Sequence, residues 1–324
     1  MVFTAITSLI IIIIIFVCYY IYRIAFYSPP GKHPKPDDPM KGRQYHEVEE
    51  NIRLASQVME KFTFEPVTIE SFDGTTLYGR YYHLNDDAPL EILFHGYRSC
   101  AFRDCSGGHA LARKMGFNTL VIDQRAHGES GGTVITFGVK ERQDCKCWIE
   151  YAVSRFGSDI PILLSGLSMG AATVLMAAEL ELPQNVACIM ADSPYSTPSA
   201  ILEKVCKDMH YPVALFRPFL HLSALMFGHF RLNACNAKDA VSHTRIPILL
   251  IHGEADHFVP CEMTCEIKAA GASRIDAYTF PGAGHGLSYI IDPLRYERVT
   301  YEFLSSLPSI APHISPKFIS QLDE

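Results

Sequence analysis

The strongest constraint on this chain is an alternation. Short, mostly apolar runs at 90–95, 117–123, 160–165, 186–191, 246–252 and 274–280 are separated by helix-like stretches, at 107–115, 139–156, 171–182, 262–270 and 293–307 among others. Strands that are apolar along their whole length are buried on both faces, and the helices between them supply the cover. The pattern predicts an α/β fold with a mostly parallel sheet flanked by helices. Two further strand-like segments, 64–71 and 75–83, flank Asp73-Gly74. That dipeptide predicts a tight hairpin with both turn residues at positive φ, and so an antiparallel edge. An amphipathic helix is expected over 45–61. With 48% apolar and 19% charged residues in 324, the chain has material for one large domain or two small ones.

The first segment is of another kind. Residues 9–21 read LIIIIIIFVCYYI, and apolar character extends from Phe3 to Tyr27. About 20 such residues cross a hydrocarbon core as a helix. Tyr19, Tyr20, Tyr22 and Tyr27 cluster at one end, as an interfacial belt does. A cleaved leader is the alternative, but no basic region precedes the run and no small-x-small site follows it. The reading is an anchor at 1–27 that contacts the membrane through residues 3–27. Arg23, Lys32, Lys35, Lys41 and Arg43 follow it, which places the bulk of the chain in the cytoplasm. Ten scattered cysteines point the same way. Residues 28–44, rich in Pro, Gly and charge, read as a stiff, extended linker. The domain then covers 45–324. A net charge of −7 without a basic stripe gives nucleic-acid binding no support. The cysteines and histidines lack metal-ligand spacing, so no metal is expected.

One connection is too long for a compact α/β unit. Between 193 and 245 there is no strand pattern, and Phe216, Phe219, Leu220, Leu222, Leu225, Met226, Phe227 and Phe230 fall there. Long insertions of this kind are usually functional, and a helical cap is the reading.

The chemistry is carried by PILLSGLSMGAATVLMAA. An apolar strand runs into Gly166-Leu167-Ser168-Met169-Gly170 and then straight into an Ala-rich helix. A nucleophilic serine must project from a sharp turn to stand clear of a sheet, and Gly166 and Gly170 remove the Cβ atoms that would collide there. The helix start directs amide groups at developing negative charge. Ser168 needs a base. Of 14 histidines, His285 lies in PGAGHGLSY after the last strand, where the order Ser…Asp…His puts it. Asp256, in the loop after the penultimate strand, is the candidate acid. Asp192, one strand earlier, is the runner-up, and Glu254 follows. Two amides should hold an oxyanion, those of Met169 and of Tyr97 in FHGYRS. The Tyr97 ring either covers the acyl pocket or packs.

These motifs, with DQRAHGES at 123–130, resemble the α/β-hydrolase superfamily in order and spacing over 77–307. DQRAHGES is similar to the Asp-x-Arg-Gly-His-Gly-x-Ser signature of the monoglyceride-lipase and serine-aminopeptidase branch, with Ala126 in place of a glycine. The whole chain is similar to the single-pass, membrane-anchored esterase- or lysophospholipase-like hydrolases of Gram-positive bacteria. The resemblance implies an eight-stranded sheet, no cofactor, and Ser168, Asp256 and His285 as a triad with Tyr97 and Met169 as amide donors. It implies hydrolysis of a small ester substrate, and the apolar cap and anchor point to a hydrophobic acyl group. Two rivals stand beside it. An aminopeptidase would need an acid for the substrate amine, with Glu203 and Asp208 as candidates. A catalytically dead, tethered binding protein would use the fold alone. Acyl-chain preference and oligomeric state are not legible.

Overall fold

A computed structural model of the chain describes residues 2–31, 33–40, 42–271 and 274–322, apart from the side chain of Arg43. Lys32 and Lys41, counted above among the basic residues, lie outside the described residues.

Eight strands form one sheet: β1 Glu65–Glu70, β2 Thr76–Tyr82, β3 Leu90–Phe94, β4 Asn118–Asp123, β5 Ile162–Leu167, β6 Val186–Asp192, β7 Ile248–Gly253 and β8 Ile275–Phe280. Their spatial order is β1-β2-β4-β3-β5-β6-β7-β8. β2 runs antiparallel to both β1 and β4, and every pairing from β4 to β8 is parallel. All residues of β3, β4 and β7 are buried, which is why their sequences do not alternate.

The helices are α1 Val2–Ala25, α2 Glu49–Glu60, α3 Ala101–Asp104, α4 Ser106–Met115, α5 Glu141–Phe156, α6 Met169–Ala177, α7 Pro198–Asp208, α8 Val213–Met226, α9 Ala237–His243, α10 Glu262–Ala270, α11 Ser288–Ile291, α12 Pro293–Ser305 and α13 Pro316–Leu322. One apolar layer joins the sheet to α5, α6 and α9, around the fully buried Trp148. Another joins the opposite face to α4 and α12. Residues 193–245 hold α7, α8 and α9 and, among the described residues, no strand.

Three local expectations are corrected. The hairpin is not a two-residue turn with both residues at positive φ. Gly74 alone has positive φ, at 77°. Gly74 N–H bonds Ser71 O at 3.0 Å and Ser71 N–H bonds Thr75 O at 2.9 Å, so the loop is three residues closed on a left-handed glycine. The expected helix over 45–61 starts only at Glu49, after a single 3₁₀ turn at Arg43–Tyr45. Finally, the Pro-rich stretch after α1 does not extend away as a spacer. Ser28 N–H bonds Thr133 O at 2.9 Å, and Met40 N–H bonds the Glu49 carboxylate at 2.7 Å. Arg103 donates to Asp38 O at 3.4 Å. Proline removes donors and fixes φ, but the residues between the prolines keep their N–H and C=O groups and bond the neighbouring surface through them.

The end of α1 is held too. Ile21 and Phe26 are buried in an apolar cluster with Leu220, Ala224 and Phe230, and Cys18 is buried as well. The Ser223 hydroxyl of α8 donates to Cys18 O at 2.7 Å. From Phe3 to Phe16 the apolar length of α1 is exposed apart from the half-buried Ile14.

Candidate active site

Ser168 sits between β5 and α6 with φ 56° and ψ −113°, a strained conformation for a residue with a side chain. What forces it is the closeness of strand and helix. A Cβ on Gly166 would lie 2.3 Å from the carbonyl carbon of Gly170. One on Gly170 would lie 2.1 Å from Phe94 O, so α6 rests directly on the end of β3. The turn is pinned by Ser168 N–H on Asp192 O at 2.9 Å and by Ala172 N–H on Ser168 O at 3.0 Å.

His285 meets the serine: its Nε2 is 2.9 Å from Ser168 Oγ, and its Nδ1 is 2.7 Å from Asp256 Oδ2. A carboxylate only accepts, so Nδ1 carries the hydrogen and Nε2 is left as the acceptor for the hydroxyl. The structure thus brings Ser168, His285 and Asp256 together in one chain of bonds. His285 is fixed from behind by its own backbone. Its N–H bonds Gln44 Oε1 at 3.0 Å, and its carbonyl accepts from the Tyr45 hydroxyl at 3.2 Å.

Asp256 is densely satisfied. Its Oδ1 accepts the amides of Phe258 and Val259 at 2.9 and 2.8 Å, and its Oδ2 also lies 3.2 Å from His252 Nε2. Burial alone would raise its pKa, but the bonds from His252 and His285 and from the Val259 amide hold it well below the usual carboxylate range. His252 is a support that sequence reasoning missed. Buried completely, it donates from Nε2 to Val259 O at 2.9 Å and accepts the Thr264 hydroxyl at Nδ1, 2.6 Å away. Asp192 is placed elsewhere. It accepts the Ser193 hydroxyl at 2.9 Å, has no bond to His285, and is pushed up to about 6 by burial. Glu254 is exposed and takes the Thr279 hydroxyl at 2.6 Å.

The amides of Met169 and Tyr97 have no acceptor among the described residues. The 95–98 loop that presents Tyr97 is tied on both sides of it. Gly96 N–H bonds Asp104 Oδ2 at 2.7 Å, and Arg98 N–H bonds His127 Nε2 at 2.9 Å. His127 can accept because burial, with His95 close by, drives its pKa well below normal and keeps the ring neutral. Its Nδ1–H goes to Arg125 O at 2.9 Å. Gln124 closes the set, donating from its amide to His95 Nε2 at 3.0 Å and from its side chain to His95 O at 2.5 Å. The signal for these supports was present: His95 and His127 each precede a glycine in FHGY and DQRAHGES.

The rest of DQRAHGES builds the turn that carries His127. Asp123 pairs with Arg80 at 3.0 Å, and Arg125 pairs with Asp144 at 2.6 Å and Asp73 at 2.9 Å. Ala126 has φ 61° and is wholly buried, so the position where the family signature has glycine is left-handed here too.

A cavity of about 890 Å³ opens on Ser168 and His285 and is lined also by Leu167, Phe258, Leu287 and Ile290. Glu203 and Asp208 do not line it. Glu203 is paired with Arg217 at 2.6 Å and Asp208 with Lys204. Among the described residues no cluster of His, Cys, Asp or Glu could hold a metal ion.

Residues 90–230 match the family described as serine aminopeptidase, S33. The uncharacterized protein YqkD of Bacillus subtilis is 23% identical over 263 residues, 81% of this chain and 84% of its own. Among solved structures, the Pyrococcus furiosus esterase Pf2001 superposes with a TM-score of 0.66 at 22% identity, covering 87% of this chain and 98% of that one. Est1E of Butyrivibrio proteoclasticus, solved with ferulic acid bound, gives a TM-score of 0.58 at 18% identity, covering 74% and 99%. The chain has the α/β-hydrolase fold.

Proposed function

We propose that this protein is a serine hydrolase that cleaves carboxylic esters through an acyl-enzyme. The observation that carries the reading is the bonded sequence Ser168 Oγ, His285, Asp256 beside two unengaged amides. His285 Nε2 takes the hydroxyl proton as Ser168 attacks the carbonyl carbon. The amides of Tyr97 and Met169 receive the oxyanion, each contributing on the order of 3 kcal/mol to the transition state. The imidazolium, stabilised by Asp256, returns the proton to the leaving alkoxide, and the alcohol departs. Water then repeats the sequence on the acyl-enzyme and frees the acid.

An apolar acyl group is the preferred substrate. Leu167, Phe258, Leu287 and Ile290 along the cavity, and a neighbouring helix suited to a bilayer, support this. Glu203 and Asp208, the acids an aminopeptidase reading would use, are paired with Arg217 and Lys204 and do not line the cavity, which counts against that reading. We read α1 as an uncleaved anchor, with the domain on the cytoplasmic side. Removal of α1 would strip the buried sites of Ile21 and Cys18 and leave Ser223 without its acceptor.

Full-length protein in detergent should be labelled by a fluorophosphonate probe, and Ser168→Ala should not. On a ladder of p-nitrophenyl esters, kcat/KM should rise from acetate to octanoate. Equal labelling of the two proteins would end the serine-hydrolase reading, and a preference for acetate would end the apolar-acyl one.

A further inference from the structure

An α-helix leaves its last four carbonyls without intrahelical donors, and something must satisfy them. At the end of α1 and just beyond it, three consecutive carbonyls are capped by the domain. Ala25 O accepts the Tyr97 hydroxyl at 2.8 Å. Phe26 O accepts Ile135 N–H at 2.8 Å, and Tyr27 O accepts the Arg98 guanidinium at 2.9 Å. Two of these three donors are neighbouring side chains of the loop that presents the Tyr97 amide. Placing a cation at a helix C-terminus also matches the macrodipole. The contact is reciprocal, since a group that caps the helix is itself held by it.

Packing makes the clamp stiff. The Tyr97 ring stacks on Phe137, with centroids 5.0 Å apart and planes 28° apart. Phe137 meets Phe26 edge-on at 5.8 Å, and Phe26 meets Phe230 of the cap at 5.4 Å. Phe26 is fully buried by this arrangement. The inner face of the loop is tied by Asp104 and His127, as described above. Its outer face bonds Ala25 O and Tyr27 O and stacks on Phe137.

We propose that the last turn of the N-terminal helix is a positioning element of the active site. It fixes the Tyr97 amide at the oxyanion through the Tyr97 hydroxyl and the Arg98 guanidinium, so the anchor and the catalytic turn work as one unit. The proposal rests on the acyl-transfer reading. It also assigns the Tyr97 ring a role that its place in the sequence left open.

The test uses the full-length chain in detergent micelles. Tyr97→Phe keeps the ring and the backbone amide and deletes only the bond to Ala25 O. With p-nitrophenyl butyrate, kcat should fall about tenfold with KM within twofold, as expected for a donor displaced by a fraction of an ångström. An aryl trifluoromethyl ketone, whose adduct places an oxyanion in the same spot, should lose affinity by the same factor. Ser223→Ala releases α1 from α8 at Cys18 without touching the loop, and should leave both quantities within twofold. If Tyr97→Phe does not fold, Arg98→Gln is read instead, with a joint fall of about threefold expected. Unchanged kcat and ketone affinity, or a fall in kcat without one in ketone affinity, overturns the proposal. A wild type that resists fluorophosphonate overturns the acyl-transfer reading itself, which separates the two failures.

Discussion

Replacing Asp256 by Asn is the sharpest perturbation of the site, because almost nothing changes in shape. The amides of Phe258 and Val259 require an acceptor at the Oδ1 position, 2.9 and 2.8 Å away. That requirement orients the new carboxamide with its oxygen toward them and its NH₂ toward His285 Nδ1. A donor now faces the ring nitrogen that carried the hydrogen at 2.7 Å. The imidazole must shift its hydrogen to Nε2, and it then presents a donor to Ser168 where it must accept. Flipping the carboxamide instead would set one NH₂ against two amide N–H groups, which is worse. A wrong-tautomer base costs a factor of about 10⁴. Four decades at about 1.4 kcal/mol each is about 5.5 kcal/mol of lost transition-state stabilisation. The assay is kcat/KM on p-nitrophenyl butyrate at pH 8, with the fluorophosphonate labelling rate as an independent measure. Asp192→Asn, made in parallel, should cost less than tenfold, since Asp192 bonds Ser193 and not the histidine. The reasoning is refuted if Asp256→Asn stays within tenfold of wild type, or if Asp192→Asn is the more damaging change. Stability supplies a second reading. Asp256 is held well below its unfolded value of about 3.9, so its contribution is full above that pH and is lost as pH falls below it. Wild type should therefore lose thermal midpoint between pH 4 and pH 2.5 more steeply than the Asn variant.

Glu91 should show the opposite sign. Buried in β3, it is pushed up to about 7, so the native state keeps a proton that the unfolded chain releases near pH 4.3. Stability should fall as pH rises from about 4 to about 7, by about 4 kcal/mol in all, and Glu91→Gln should flatten that slope; thermal midpoints of both proteins at pH 5 and pH 8 measure it. Gly170→Ala should cost more than 3 kcal/mol and abolish labelling at Ser168, because the new methyl would enter the carbonyl of Phe94; urea denaturation followed by circular dichroism reads the first and the probe the second. Arg125→Met leaves Asp144 buried without its 2.6 Å partner and should destabilise by about 3–5 kcal/mol, with Asp144→Leu in the same background recovering much of the loss; the double-variant cycle decides between a charge effect and a packing one.

The elements that sequence reasoning placed well are those whose cause is local. The strand before Ser168 and the helix after it follow from an apolar run meeting a Gly-x-Ser-x-Gly turn, and their contact needs only the absence of two Cβ atoms. The Asp73-Gly74 turn departs from its expected form because a left-handed glycine closes either a two-residue or a three-residue loop, and only the partner strand's register selects between them. Composition reports chain stiffness, so residues 28–44 read as a spacer in the sequence, while their bonds to Thr133, Glu49 and Arg103 are tertiary. Gln44 belongs to the same class, since it sits far from His285 in sequence and touches the triad through one bond that no local pattern announces.

The choice between Asp256 and Asp192 turns on one geometric difference. Both acids follow the nucleophile and precede the histidine, so chain order alone admits either. Asp192 is the last residue of β6, paired in register with Leu167 of β5. A residue still bound in the ladder cannot follow the loop that rises above the sheet, and its carboxylate stays buried, bonded to the Ser193 hydroxyl. Asp256 lies three residues past Gly253, the end of β7. A Cβ on Gly253 would lie 2.2 Å from Ala283 O, which shows how closely the two loops after β7 and β8 approach each other. Freed from the ladder and drawn against the loop that carries His285, Asp256 can reach Nδ1 while its second oxygen collects two amides. The acid is therefore set by where β7 stops, and lengthening that strand by one residue should break the triad even with all three side chains in place.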